Sequence, residues 1–104
     1  MWYLFIIKIF SMKKFVVERD LPGAGVLSLE ELQAISHVSC DVMNHLGKPY
    51  HWVQSYITGD KIYCIHIAES EEVVRQHAMM AKIPIKTIAE VTAIIDPVTS
   101  NLLS

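Results

Sequence analysis

The sequence predicts a single α+β domain with the element order βαββαβ, and three observations support this prediction. The chain has 104 residues, the usual length of one domain. Ser28 and Glu31 form a capping box that marks the start of a helix. Two β-rich runs flank the turn dipeptide Gly59-Asp60. Together these signals predict one four-stranded antiparallel sheet with two helices on one face.

The first half of the domain is predicted to be a strand followed by a long helix. Lys14–Glu18 is rich in β-branched and aromatic residues, and the sequence LPGAG at 21–25 ends this strand. The helix starts after Ser28 and continues to about Leu46, where Gly47 can adopt the left-handed conformation that ends a helix. Apolar and small residues at helical spacing predict its core-facing side: Leu32, Ile35, Ser39, Val42, Met43 and Leu46.

The second half is predicted to be a hairpin, a second helix and a last strand. The hairpin joins Tyr50–Thr58 to Lys61–Ala68. Ser70 caps a helix that runs to about Ala81, and the last strand is Thr87–Ile95. The inward residues of this helix are predicted to be Val73, Val74, His77, Ala78 and Ala81. This order is that of the split-βαβ, or ferredoxin-like, unit.

Composition and charge exclude several functional classes. The net charge is −2, and no basic cluster is longer than Lys13-Lys14, so no nucleic-acid partner is predicted. Two cysteines, Cys40 and Cys64, occur without a CxxC motif, which predicts reduced thiols and a cytoplasmic location. The sequence has no glycine-rich phosphate loop and no nucleophile elbow.

The apolar segment MWYLFIIKIFS, residues 1–11, is predicted to be an N-terminal extension outside the domain. It is too short to span a bilayer and lacks a signal-peptide cleavage site, so no membrane partner is predicted. The alternative is an added edge strand that pairs with a partner chain. The domain itself is predicted to occupy residues 12–97, and residues 98–104 form a C-terminal tail.

Strand alternation predicts which side chains lie on the sheet face opposite the helices. Counting from the hairpin turn pairs Tyr56 with Tyr63, Val53 with His66 and Trp52 with Ile67. A one-residue slip in register would reverse these faces. The last strand is predicted to turn these residues toward the helices: Ala89, Val91, Ala93 and Ile95. The open face is therefore predicted to carry a ligand-binding set of Glu18, Trp52, Gln54, Tyr56, Tyr63 and Glu90.

An open face that is also partly apolar predicts a homodimer of the dimeric α/β-barrel type, in which two sheets enclose a cavity. Glu18 and Glu90 are then candidate catalytic residues, since a carboxylate among aromatic side chains has a raised pKa. They can instead be interface carboxylates satisfied by Arg19 or by tyrosine hydroxyls. His77 is a third catalytic candidate, a metal ligand, or a hydrogen-bonded core histidine.

Two further groups are candidate ligands of a divalent transition metal. His37, Asp41 and His45 recur at a spacing of four residues along the first helix, and the alternative is a solvated helix face. Cys64 and His66 share one strand face, but a metal there would need two more ligands. The alternative is a buried thiol beside a hydrogen-bonded imidazole.

From Lys14 to Pro97 the chain resembles a small bacterial family of unknown function that includes a nickel-binding, nickel-responsive protein. The resemblance rests on these segments: FVVERDLPG (15–23), WVQSYITGDKIYCIHIAES (52–70), EEVVRQHA (71–78) and IAEVTAIIDP (88–97). It implies a ferredoxin-like fold, an α/β-barrel dimer and a relation to nickel. The positions that coincide with the family pattern are Glu18, Arg19, Ser55, Tyr56, Cys64, His77 and Glu90. His66 stands where the family has tyrosine, and His37 and His45 lie outside the pattern.

Three functions follow as expectations. The first is a homodimer that binds a divalent metal, with nickel implied by the resemblance, or a small ligand in the open-face cavity. The second is an enzyme of the isomerase or cofactor-free monooxygenase type, with a cavity Glu or His for proton transfer. The third is a purely structural or regulatory dimer.

Overall fold

A computed structural model describes residues 12–101 and confirms the predicted βαββαβ order. The strands are β1 (Lys13–Asp20), β2 (Tyr50–Ile57), β3 (Lys61–Ala68) and β4 (Thr87–Glu90). The α-helices are α1 (Leu29–His45) and α2 (Glu71–Ala81), with short 3₁₀ turns at Ala24–Val26 and Pro97–Asn101. The extension predicted at residues 1–11 and the end of the predicted tail, 102–104, lie outside the described residues. The predicted domain limits stay predictions.

The four strands form one antiparallel sheet in the order β2-β3-β1-β4, which confirms the ferredoxin-like fold. Leu46 at the end of α1 and Val74 of α2 pack in one buried cluster with Phe15 and Val17 of β1. Because side chains alternate along a strand, the helices therefore cover the sheet face that carries Phe15 and Val17.

The helix termini follow the local signals of the sequence. The Ser28 side chain accepts a hydrogen bond from the Glu31 N–H at 3.1 Å, and the Glu31 carboxylate accepts one from the Ser28 N–H at 3.5 Å. This reciprocal pair is the predicted capping box. Gly47 follows α1 with a φ of 71°, a left-handed conformation that glycine adopts without strain. Ser70 is the N-cap of α2, but its side chain makes no capping hydrogen bond.

The two helices differ in how closely they approach the sheet. All five predicted inward residues of α2 are buried. On α1, only Ser39 is buried, and the predicted core-facing residues Leu32, Ile35 and Val42 are half-buried. An apolar stripe that is only half-buried leaves space between the helix and the sheet, and this space forms the cavity described below.

The last strand is shorter than predicted and shows the opposite faces. β4 ends at Glu90, although the Val91 N–H still donates a hydrogen bond to the Lys14 carbonyl at 2.7 Å. Ile88 lies opposite Val17 and packs against the core, so Ala89 is on the open face. The predicted inward orientation of Ala89, Val91, Ala93 and Ile95 is therefore wrong for the paired part of the strand. Ile95 is 79% exposed.

A β-bulge at Val53 changes the predicted register of the hairpin. Ser55 pairs with Cys64 and Tyr56 with Tyr63, as predicted, but Trp52 pairs with His66 instead of Ile67. The extra residue makes two residues of β2 oppose one residue of β3, so the alternation of faces shifts by one. Trp52 therefore lies on the helix-covered face, and its predicted position on the open face is wrong.

Candidate ligand cavity beneath helix α1

A cavity of about 450 Å³ lies between α1 and the sheet. This volume is within the range of about 300–1,000 Å³ that is usual for small-molecule sites. Its apolar walls come from α1, from the sheet and from the loop after α2: Leu32, Ile35, Ile57, Ile62, Ile83 and Pro84. Trp52 also lines the cavity, and its indole N–H donates a hydrogen bond to the Ser55 hydroxyl at 2.9 Å. The bulge at Val53 thus supplies an aromatic wall.

Two buried histidines form the polar end of this cavity. His66 of β3 and His77 of α2 are each 1% exposed, and their ring centroids are 5.5 Å apart. The ring of Tyr50 stacks on His77 at 4.7 Å, and its hydroxyl lies 2.7 Å from Nδ1 of His66. Nε2 of His77 lies 3.4 Å from the Ser39 hydroxyl and 3.3 Å from the Ser39 carbonyl. Contacts among four elements, α1, β2, β3 and α2, therefore hold the two rings in position.

Each histidine retains one buried ring nitrogen that has no hydrogen-bond partner among residues 12–101, namely Nε2 of His66 and Nδ1 of His77. Burial, with smaller contributions from the nearby His77 and Arg19, lowers the pKa of His66 to about 3. Burial also lowers the pKa of His77, with a smaller contribution from Arg19, although the backbone hydrogen bond of Ser39 opposes this effect. Both imidazoles are therefore neutral at pH 7. Burial also raises the pKa of the Tyr50 hydroxyl. Neutral imidazoles can donate or accept a hydrogen bond.

Arg19 brings a positive charge to the same cavity. Its side chain is buried, with 4% exposure, and it donates one hydrogen bond to the Ile83 carbonyl at 2.8 Å. Alternation along β1 puts Arg19 on the same face as Phe15 and Val17, so its inward position was available from the sequence. From the sequence, Arg19 was expected only as a partner for carboxylates. Ser39 was predicted to face the core, and Tyr50 was assigned no role in a site.

The two carboxylates predicted to share a cavity lie on different faces. Glu18 is on the open face, where it accepts hydrogen bonds from Lys61 and, at 2.9 Å, from the Thr87 hydroxyl. These two hydrogen bonds lower the pKa of Glu18, which is opposite to the raised pKa predicted for a cavity base. Glu90 lies opposite Phe15, on the helix side of an edge strand, and pairs with Lys13 at 3.8 Å. The predicted common cavity for Glu18 and Glu90 is therefore wrong.

The remaining open-face residues lie where alternation predicted them. Tyr63 pairs with Glu18 on one side and with Tyr56 on the other. Gln54 donates a hydrogen bond to the Tyr56 hydroxyl, and Tyr56 is 53% exposed. The position of these side chains on the open face is confirmed, whereas their role in ligand binding stays a prediction.

The predicted metal ligands do not assemble into a site within one chain. Asp41 and His45 are linked by a 2.7 Å contact between His45 Nδ1 and the Asp41 carbonyl, and His37 is exposed on the same helix. Among residues 12–101, no group of three or more His, Cys, Asp or Glu side chains could hold a metal ion. His66 and His77 therefore remain a pair, and the α1 trio is exposed, so its role as a metal site stays a prediction.

The fold and the cavity define a small ferredoxin-like α+β protein with a ligand-sized space between one helix and its sheet. No helix among the described residues is long and apolar enough to cross a membrane. The family model described as "Nickel responsive protein SCO4226-like" matches residues 15–91. The chain belongs to this family, as the sequence resemblance indicated.

A solved structure shares the fold. The crystal structure of SCO4226 from Streptomyces coelicolor A3(2) superimposes with a TM-score of 0.68 and 19% sequence identity, and the match covers 79% of this chain and 99% of that chain. At this identity the likeness shows the fold alone. No curated protein matches the chain.

Proposed function

We propose that this protein binds a small molecule with an apolar body and a polar head group in the cavity beneath α1. The proposal rests on the cavity of about 450 Å³, which is lined mainly by apolar side chains and also by His66, His77 and Arg19. Ligand sites commonly combine such apolar walls with a few convergent polar groups. This location replaces the open-face cavity of the sequence analysis.

The apolar walls supply affinity in this proposal. Each methylene group that moves from water into the cavity contributes about 0.8 kcal/mol. Leu32 and Ile35 of α1 are only half-buried, so a ligand in the cavity can complete their burial against the sheet. The helix then gains the packing that its apolar stripe lacks in the chain alone.

The polar end supplies orientation. The Arg19 guanidinium lines the cavity, and its side chain makes one hydrogen bond to residues 12–101, to the Ile83 carbonyl. A polar head group can accept hydrogen bonds from its remaining N–H donors. A ligand with a polar head is therefore favoured over a purely apolar one.

The fluorescence of Trp52 gives a direct test of the proposed site. The chain has two tryptophans, so a Trp2→Phe variant leaves Trp52 as the only reporter. Octan-1-ol is expected to change its emission in a saturable way. In this background, Ser36→Leu places a larger side chain in the cavity wall, so less of octan-1-ol can be buried. The binding free energy is expected to weaken by about 2 kcal/mol, which is about thirtyfold in affinity for octan-1-ol.

The matched control is His37→Leu, which adds the same side chain at the exposed neighbouring position of α1. It is expected to bind octan-1-ol like the parent. Circular dichroism checks that both variants are folded. Equal affinities in the two leucine variants would contradict the cavity as the binding site.

A divalent metal, with nickel suggested by the family name, is the second candidate. The two unpartnered ring nitrogens favour it, because neutral imidazole is a common ligand of nickel and zinc. Two imidazoles alone do not complete a four-coordinate site, and residues 12–101 offer no third His, Cys, Asp or Glu ligand. Calorimetry tests this candidate: heat at micromolar nickel in the parent, lost in His66→Gln, is the expected result.

The other expectations from the sequence stay hypotheses. An isomerase or monooxygenase activity would rest on His77 among the catalytic candidates, since the lowered pKa makes Glu18 a weak base and Glu90 is exposed and paired with Lys13. Unchanged turnover of an identified substrate in His77→Gln would contradict that role.

The homodimer is proposed to form through the open face, where Ile65 and Ile67 are half-buried. Light scattering tests this, and a monomer at micromolar concentration would exclude it.

A further inference from the structure

The Arg19 side chain is buried, and its only hydrogen bond to the described residues is the one it donates to the Ile83 carbonyl. No ion pair among residues 12–101 involves it. The guanidinium keeps its charge at every physiological pH and has five N–H donors. Buried charges in proteins are normally paired, because an isolated charge loses its hydration without compensation. Arg19 therefore lacks the counter-charge that its burial calls for.

The other charged groups around the cavity do not neutralise Arg19. Asp20 lines the cavity, but its carboxylate pairs with Lys61 at 3.2 Å and with Lys86 at 3.4 Å. Lys82 adds a second cation to the cavity lining. The two histidines at the polar end are neutral at pH 7 and add no charge to the cavity. The cavity thus has an excess of positive charge beside apolar walls.

We propose that the ligand of the cavity is an organic anion, a monocarboxylate with an alkyl or aryl body, whose carboxylate pairs with Arg19. This inference rests on the proposed ligand-binding function and names the class of ligand. A planar carboxylate matches the fork of a guanidinium and accepts two parallel hydrogen bonds. The apolar walls at Leu32, Ile35 and Ile62 exclude a bare inorganic anion as the matching occupant, since they would stay unfilled.

The test uses three probes with the same alkyl chain and different head groups: octanoate, octan-1-ol and octylamine. Each is titrated into the full chain with Trp2→Phe at neutral pH, with Trp52 emission as the readout and calorimetry as a second measurement. Octanoate is expected to bind about tenfold or more tightly than octan-1-ol, because its charged carboxylate hydrogen-bonds the Arg19 guanidinium. Octylamine is expected to bind most weakly, because its ammonium group has the same charge as Arg19. Equal binding of octanoate and octan-1-ol, or tightest binding of octylamine, overturns the inference.

Variants at Arg19 assign the preference to this residue. Arg19→Met is expected to lose the preference for octanoate over octan-1-ol, and Arg19→Lys is expected to retain part of it. Lys48→Met, which removes an exposed cation bonded to Gln76, is the matched control and keeps the parent preference. A preference for octanoate that survives in Arg19→Met overturns the inference. If Arg19→Met does not fold, the probe series on the parent still decides.

The same experiment separates the two proposals. Saturable binding of octan-1-ol at the same affinity as octanoate contradicts the anion and leaves the ligand-binding cavity supported. No saturable binding of any of the three probes contradicts the ligand-binding function, and the anion inference with it.

Discussion

Between about pH 7 and pH 5 the protein is expected to lose about 2 kcal/mol of its unfolding free energy through His66 alone. The pKa of this histidine falls from 6.5 to about 3 on folding, mainly through burial. The unfolded state then binds more protons than the folded state between these two values. The stabilising effect is therefore fully present above pH 6.5 and is lost as the pH falls toward 3. His77, whose pKa is also lowered by burial, adds to the loss.

Urea unfolding at several pH values measures this effect. His66→Gln is expected to have a clearly smaller pH dependence than the parent over this window, and His77→Gln serves if the first variant does not fold. His37→Gln changes an exposed histidine of α1 and is expected to behave like the parent. The carboxylates whose pKa values are lowered by partners, such as Glu18 and Asp20, contribute mainly below this window. A parent stability that is flat from about pH 7 to pH 5 would show that neither histidine is held neutral by burial.

Phe15→Ala is expected to reduce the unfolding free energy by about 3–5 kcal/mol, because it leaves a cavity in the core. Phe15 is 2% exposed and packs in the main core cluster on the helix-covered face. Its neighbour Val16 is half-buried on the open face, opposite Ile65. Val16→Ala is therefore the matched control, with an expected loss of less than about 1 kcal/mol in the monomer.

Unfolding of the two variants by urea tells which sheet face the helices cover. Equal losses at both positions would contradict the assignment of faces on which the cavity depends. A loss in Val16→Ala that grows with protein concentration would instead report the predicted homodimer through the open face, since dimerisation links stability to concentration.

The fold was predictable because its signals are local. The capping box at Ser28, the left-handed stop at Gly47 and the two-residue hairpin turn each act within a few residues, and together they determine the order of elements. The face of β3 was also predictable, since Cys64 and His66 are buried on the helix side as alternation indicated. These parts of the prediction needed no tertiary information.

The location of the site was not predictable for two physical reasons. The bulge at Val53 has no local marker such as glycine, yet it moves Trp52 from the open face into the cavity. The faces of β4 depend on its register with β1, and that register places Ile88 on the core. A strand at the edge of a sheet has only one neighbour, so periodicity in its own sequence determines its faces poorly.

The separation between α1 and the sheet was a third feature that the sequence did not reveal. The stripe from Leu32 to Leu46 has the spacing of a core face, and spacing alone does not say how closely that face is packed. Arg19 is different, because strand alternation after Phe15 and Val17 would have given its inward position, although no such prediction was made. A buried arginine on a strand is therefore a sequence signal that could have pointed to this cavity.

Isoleucine methyl NMR with octanoate tests the location of the ligand site most directly. Ile35, Ile57, Ile62 and Ile83 line the cavity, whereas Ile65 and Ile67 lie on the open face. Octanoate is predicted to shift the methyl signals of the cavity set and the indole N–H signal of Trp52, and to leave the open-face pair in place. Shifts confined to Ile65 and Ile67, or no shifts at saturating octanoate, would contradict a ligand site beneath α1.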